Sequence, residues 1–232
     1  DRVVIGLEAP LDVSGPDEEG YTLRAGGLTF SMDSAEQRRR TLAFARLLGH
    51  LLSDGSISVN GQGRMNVGQA VDRETVLDDI ERLTGKRPAG TRYDERKWSI
   101  ALPKELTIAI SALPGVQAGQ RIHQPPSLPQ FVLDPRCPAG VLREFLGGQF
   151  GADGWAPGLH RQGYRDDDAT MSPPAFSRVA PPEHVVRLRE LMGELIRLLG
   201  RCGVITDGHK VYEHPVRRAA SSLLGSSEGM PL

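Results

Sequence analysis

An α+β chain of two similar αββαββα units is the fold the sequence predicts, with antiparallel sheets and one helix from each unit at a shared interface. Three observations predict it. Helix-period and strand-period patterns alternate in the same order twice along the chain. Each half contains a helix that stops on the same dipeptide, Asp54-Gly55 in the first and Asp153-Gly154 in the second. Between the halves lies a proline-rich connector, "QRIHQPPSLPQFVLDPRCP". The divisions that follow are an acidic arm over 1–33, a first unit over 34–120, a linker over 121–137 and a second unit over 138–232.

The arm, "DRVVIGLEAPLDVSGPDEEGYTLRAGGLTF", reads as short strands broken by Pro, Gly and Asp turns. Ser34 caps the first helix, "AEQRRRTLAFARLLGHLLSD", which Asp54-Gly55 ends. Alternation follows: Ser56, Ser58 and Asn60 take one face against Ile57 and Val59, then Arg64, Asn66 and Gly68 oppose Met65 and Val67. This is a hairpin with one polar face. Asp72 is expected to cap a helix whose Val76, Leu77, Ile80 and Leu83 form an apolar stripe closed by Gly85. A second hairpin spans Thr91 to Leu102, and Pro103 opens a helix over "KELTIAISAL". In the second half, "PAGVLREFLGGQFGADG" is the helix and Trp155 to Ser177 a looser hairpin with a long polar turn. "PPEHVVRLRELMGELIRLLGRCG" is amphipathic and helical, a tight hairpin turns at Asp207-Gly208, and "VRRAASSLLG" closes the chain as a helix.

Composition excludes some classes. At 232 residues, with 39% hydrophobic and 25% charged residues, the chain can bury a core, and no apolar run is long enough to cross a bilayer. Cys137 and Cys202 are too few for a disulfide framework or a structural zinc site and are read as reduced thiols. "DRVVIGLEAP" carries no leader pattern, so an intracellular protein is expected. Formal net charge is −1, but the arm is acidic and the remainder mildly basic, which permits a DNA partner without requiring one.

The paired motif carries the chemistry. Gly49 and Ser53 in one helix, and Gly148 and Ala152 in the other, stand where two helices would touch, so their backbones can approach closely. Side-by-side helices would bring Asp54 and Asp153 together at carbonyl ends, where the dipoles are also negative. Such a pair repels unless a hard divalent cation lies between, and Mg²⁺ suits two carboxylates completed by water and phosphate oxygens. His50 is expected in the core.

"LLGHLLSDG" and "LGGQFGADG" resemble the two copies of the signature of the LAGLIDADG homing endonucleases, particularly the two-motif kind carried inside inteins. The stretch "LPQFVLDPRCPAGVLREFLGGQFGADG" resembles intein endonucleases on both sides of the second copy, and the likeness covers about residues 34 to 220. It implies a pseudo-twofold monomeric enzyme whose sheets form a saddle over DNA. The implied activity is Mg²⁺-dependent, site-specific double-strand cleavage across the minor groove, leaving 3′ overhangs. Asp54 and Asp153 carry over as catalytic metal ligands, joined by the backbone carbonyls of Ser53 and Ala152. The family often has a lysine shortly before the "P-x-F" ahead of the second motif. Here that position is Pro126 and the nearest cation is Arg121; Lys210, Arg217 and Arg218 are the second half's candidates for a charge-stabilising role.

For readout, Ser56, Ser58, Asn60, Gln62, Arg64, Asn66 and Gln69 give the first hairpin side chains suited to base edges in the major groove. Arg92, Arg96 and Lys97, with Arg161, Arg165 and Lys210 in the second half, extend the surface toward phosphates. The alternative is a catalytically weak or inert DNA- or RNA-binding protein on the same scaffold, a maturase or regulator. A purely structural protein with glycine-paired helices is the third reading.

Overall fold

The computed structural model describes residues 20–94, 97–155, 158–161, 169–172, 175–204 and 206. Within them the chain is α+β, with six helices and antiparallel sheets. Strands β1 (Thr22–Ala25) and β2 (Leu28–Ser31) form a hairpin. Its Leu23, Ala25 and Phe30, with Met32 just beyond, are buried, and Phe30 stacks on Phe44 with ring centroids 4.1 Å apart. Thr41 Oγ1 donates to the Ser31 carbonyl at 2.7 Å. This end of the arm therefore packs one face on the core, because its alternating apolar side chains need a partner face.

Helix α1 (Ala35–Asp54) starts as expected, with the Ser34 hydroxyl accepting from the Gln37 N–H at 3.2 Å. It runs directly into β3 (Gly55–Ile57), which pairs with β4 (Gly63–Val67). Helix α2 (Ala70–Thr84) follows, then β5 (Gly90–Asp94), β6 (Lys97–Ala101) and α3 (Lys104–Ser111). The two hairpins foreseen from alternation merge into one antiparallel sheet of order β3-β4-β6-β5. Helix α2 begins three residues earlier than Asp72 suggested: Gln69 is the N-cap, and Asp72 sits in the first turn, where its charge suits the helix dipole. Gly85 closes α2 at φ 72°, its N–H donating to the Glu81 carbonyl. The stripe Val76, Leu77, Ile80 and Leu83 is buried as foreseen.

The connector is anchored rather than loose. It holds a 3₁₀ turn (Arg121–His123) and the short α4 (Gln130–Leu133), and it buries Leu128, Val132 and Cys137. Four of its carbonyls, those of Val132, Asp134, Pro135 and Cys137, accept from Arg201 at 2.8 to 3.3 Å. That arginine ends α6 (Val185–Arg201), whose Leu188, Leu191, Leu195 and Leu198 face the core. Helix α5 (Ala139–Asp153) leads to β7 (Gly154–Trp155), β8 (Gly158–Arg161), β9 (Ala169–Ser172) and β10 (Ala175–Phe176). β7 pairs with β10 and β8 with β9, the long hairpin expected there. The hairpin at Asp207-Gly208 and the helix after it lie outside the described residues. Among the described residues no helix is long and apolar enough to cross a membrane.

Candidate active site

Helices α1 and α5 pack through their glycines. A Cβ on Gly49 would stand 2.0 Å from the Phe145 carbonyl oxygen, and one on Gly148 would stand 2.2 Å from that of Arg46 and 2.8 Å from the His50 nitrogen. All three distances are far inside van der Waals contact, so each glycine lets the other helix's backbone touch. Ser53 is buried at the same seam, its hydroxyl 3.4 Å from the Gln149 carbonyl. Around the seam Leu47, Leu48, Leu51, Leu142, Phe145 and Leu146 are buried. Phe150 is only half-buried and lies 5.0 Å from Phe176, ring to ring.

Both helices end alike, and the terminal glycine acts differently from a helix-stop signal. Gly55 (φ −99°, ψ −175°) and Gly154 (φ −90°, ψ 167°) are extended, not left-handed. A Cβ on Gly55 would meet the Leu51 carbonyl at 2.7 Å, and one on Gly154 the Phe150 carbonyl at 2.2 Å. Each glycine N–H donates to that carbonyl. Glycine is needed here because the chain turns from helix to strand with no room for a side chain.

These ends bring Asp54 and Asp153 into one electrostatic neighbourhood. Burial and then the charge of Asp153 push the Asp54 carboxyl above its ordinary range, while His50, Arg121 and Arg178 pull it back. The bridge is Arg178. Its Nη2 donates to the Leu52 carbonyl of α1 at 2.8 Å, stands 3.4 Å from Ser53 Oγ, and pairs with Asp153 Oδ2 of α5 at 3.4 Å. Arg121 donates through Nη1 and Nη2 to the carbonyls of Leu52 and Gly55. Neither α1 nor α5 has a basic residue in its last turn, so at α1 these two guanidiniums supply the positive charge a helix C-terminus favours. Burial holds both below the ordinary arginine range, and each also feels the two aspartates.

The donor set fits a hard divalent ion: two carboxylates in one neighbourhood, both reached by solvent, at helix ends that also present the Ser53 and Ala152 carbonyls. Among the described residues no third His, Cys, Asp or Glu joins a metal-binding group. His50 departs from the expectation of a core residue. It is half-buried, with Nε2 3.4 Å from the Asn66 carbonyl.

Arg178 was invisible in the sequence. It sits in "AFSRVAPPEH", outside any periodic segment, so no local pattern marks it. Arg121, the nearest cation to the expected lysine, does reach the site. Lys210, Arg217 and Arg218 lie outside the described residues, as do Arg96 and Arg165. Arg161 ends β8 opposite Ala169.

Within its strands the polar ribbon has the expected faces, but Val59, expected on the apolar face beside Ile57, lies in the turn beyond β3 and is 81% exposed. Ser56, Arg64 and Asn66 are exposed while Gly55, Ile57, Met65 and Val67 are buried, and Ser56 pairs directly with Arg64. Asn60, Gln62 and Gln69 are exposed in the flanking turns, and Ser58 Oγ accepts from the Gln62 N–H at 3.0 Å. Asn66 Nδ2 donates to the Asp54 carbonyl at 3.3 Å, tying the ribbon to the motif end. Lys97 is exposed at the start of β6. Arg92 differs: it pairs with Trp98, as Val67 does, and so falls on the sheet's other face. A one-residue change of parity moves a strand residue across the sheet, and the register decides it. No protein-family model and no curated protein matches the chain.

Proposed function

We propose that this protein is a Mg²⁺-dependent, site-specific double-strand DNA endonuclease of the two-motif homing type. In this reading the two halves are related by a pseudo-twofold axis along the α1–α5 seam, and their sheets form a saddle over the duplex. One observation carries it: Asp54 and Asp153, from different halves of the chain, share one electrostatic neighbourhood at the ends of two glycine-packed helices that each run straight into a strand.

The two carboxylates would hold the ion, with the Ser53 and Ala152 carbonyls beside them. When bound, Mg²⁺ supplies an activated water and stabilises the leaving oxygen. The chain's own residues do the rest. Arg121 and Arg178, fixed by carbonyls rather than free to swing, present positive charge where the attacked phosphate gains negative charge. Ser56, Arg64 and Asn66 offer hydroxyl, guanidinium and amide groups to base edges, and the Asn66–Asp54 contact keeps the reading surface in register with the aspartates. One chain suffices for a double-strand cut because both halves are present, so a monomer is the working form.

The test is cleavage of a randomised duplex library by the full chain in Mg²⁺, with Ca²⁺ and Asp54→Asn as controls. Discrete sites cut in Mg²⁺ and spared in both controls support the reading. Selective DNA binding without a cut in Mg²⁺ favours the inert binding protein instead.

A further inference from the structure

Arg121 and Arg178 share more than the helix end. Both line one cavity of about 230 Å³, beside Gln124 and walled by Pro125, Pro126 and Pro181. Asp54 and Asp153 act on both charges through space, yet among the described residues neither guanidinium is held in a tight ion pair. Both Arg121 hydrogen bonds among the described residues go to neutral carbonyls. Among the described residues Arg178 has one carboxylate, Asp153, at a loose 3.4 Å, and its Nε is buried without a hydrogen-bond partner. Two guanidiniums brought together in a half-closed pocket repel each other and lose hydration, which is a standing demand for an anion.

We infer that this cavity is a subsite for a phosphomonoester, taking the terminal phosphate of a nucleic-acid strand. Two cationic side chains match a dianion better than the single charge of an internal phosphodiester, and the proline walls suit a chain end rather than a through-running backbone. The strand-end assignment rests on the endonuclease reading; the anion chemistry does not. Hydrolysis of a phosphodiester adds water to phosphorus and breaks one P–O ester bond. The departing oxygen leaves as an alcohol with its proton, and the phosphate stays on the other end as a monoester. The subsite would hold that product end beside the centre that made it.

Calorimetry on the full chain in EDTA tests this, because chelation removes any phosphate held through a metal. The probes are 5′- and 3′-phosphorylated DNA dinucleotides, their unphosphorylated counterpart, and inorganic phosphate. The expected result is at least about tenfold tighter binding of one phosphorylated dinucleotide than of its hydroxyl counterpart, with inorganic phosphate competing. Val179 lines the cavity and is 92% exposed, so Val179→Asp places a negative charge there without disturbing the core. That variant should weaken the phosphorylated ligand about fivefold or more while Val179→Asn does not. Equal binding of phosphorylated and unphosphorylated dinucleotides together with no binding of inorganic phosphate, or indifference of the bound phosphate to Val179→Asp, overturns the subsite. Inorganic phosphate binding with no gain for either dinucleotide overturns the strand-end assignment. Cleavage in Mg²⁺ is scored separately: phosphate recognition in a chain that never cuts supports the anion site and removes the endonuclease reading.

Discussion

Arg46 holds three helices with one guanidinium. Its Nε and Nη2 donate to the two carboxylate oxygens of Asp79 in α2 at 2.8 and 2.7 Å, and Nη1 reaches Glu144 of α5 at 2.6 Å. Asp79 is only 2% exposed, so removing its partner would leave a buried charge unpaired. Arg46→Met should therefore cost about 3 kcal/mol in urea denaturation, and Asp79→Asn in the same background should recover part of it. Cys137 supplies a second test at this scale. Burial raises its thiol from the ordinary 9.0 to about 12, with the Tyr21 hydroxyl 3.9 Å away and also raised by burial. A raised acid keeps its proton in the folded state, so this stability is complete below pH 9 and is lost as pH climbs from 9 toward 12. The urea midpoint should fall over that window, and Cys137→Ala should flatten the fall.

At the scale of elements, the α1–α5 seam decides whether the site exists. Gly148→Ala places a methyl 2.2 Å from the Arg46 carbonyl, a clash with backbone that no rotamer relieves. A loss of about 3 kcal/mol is expected in thermal unfolding, against a small gain for Gly147→Ala, where a Cβ meets nothing within 4 Å. The ribbon is the other decisive element. If it reads bases, Arg64→Ala should relax preference at one or two positions by about 1–3 kcal/mol in binding selections, while leaving cleavage of the remaining sites intact. Both elements were legible in the sequence for local reasons. Small-residue spacing in "GHLLS" and "GGQFGA" marks a close helix contact, and period-two alternation over Arg64 to Val67 fixes which side chains are exposed. What remained hidden was non-local. The face of Arg92 depends on strand register with β6, the half-exposure of His50 depends on how the sheet meets α1, and the glycines after the aspartates turned out extended.

Across the whole molecule, the α+β order of elements was readable because each segment declares its own period. The way segments join was not. Two separate hairpins become one four-stranded sheet, the end of the acidic arm packs under α1, and a proline-rich connector is stapled by Arg201 from a helix more than sixty positions away. The same limit hid Arg178, whose role depends on α1, α5 and its own loop arriving together. The central claim is likewise a long-range one: Asp54 and Asp153 form a single centre for one divalent ion. Calorimetric titration of the full chain with Mn²⁺, in wild type, Asp54→Asn, Asp153→Asn and the double variant, tests it most directly. One ion per chain, with binding lost in either single variant and no further loss in the double, is the predicted result; binding that survives both single substitutions would contradict it.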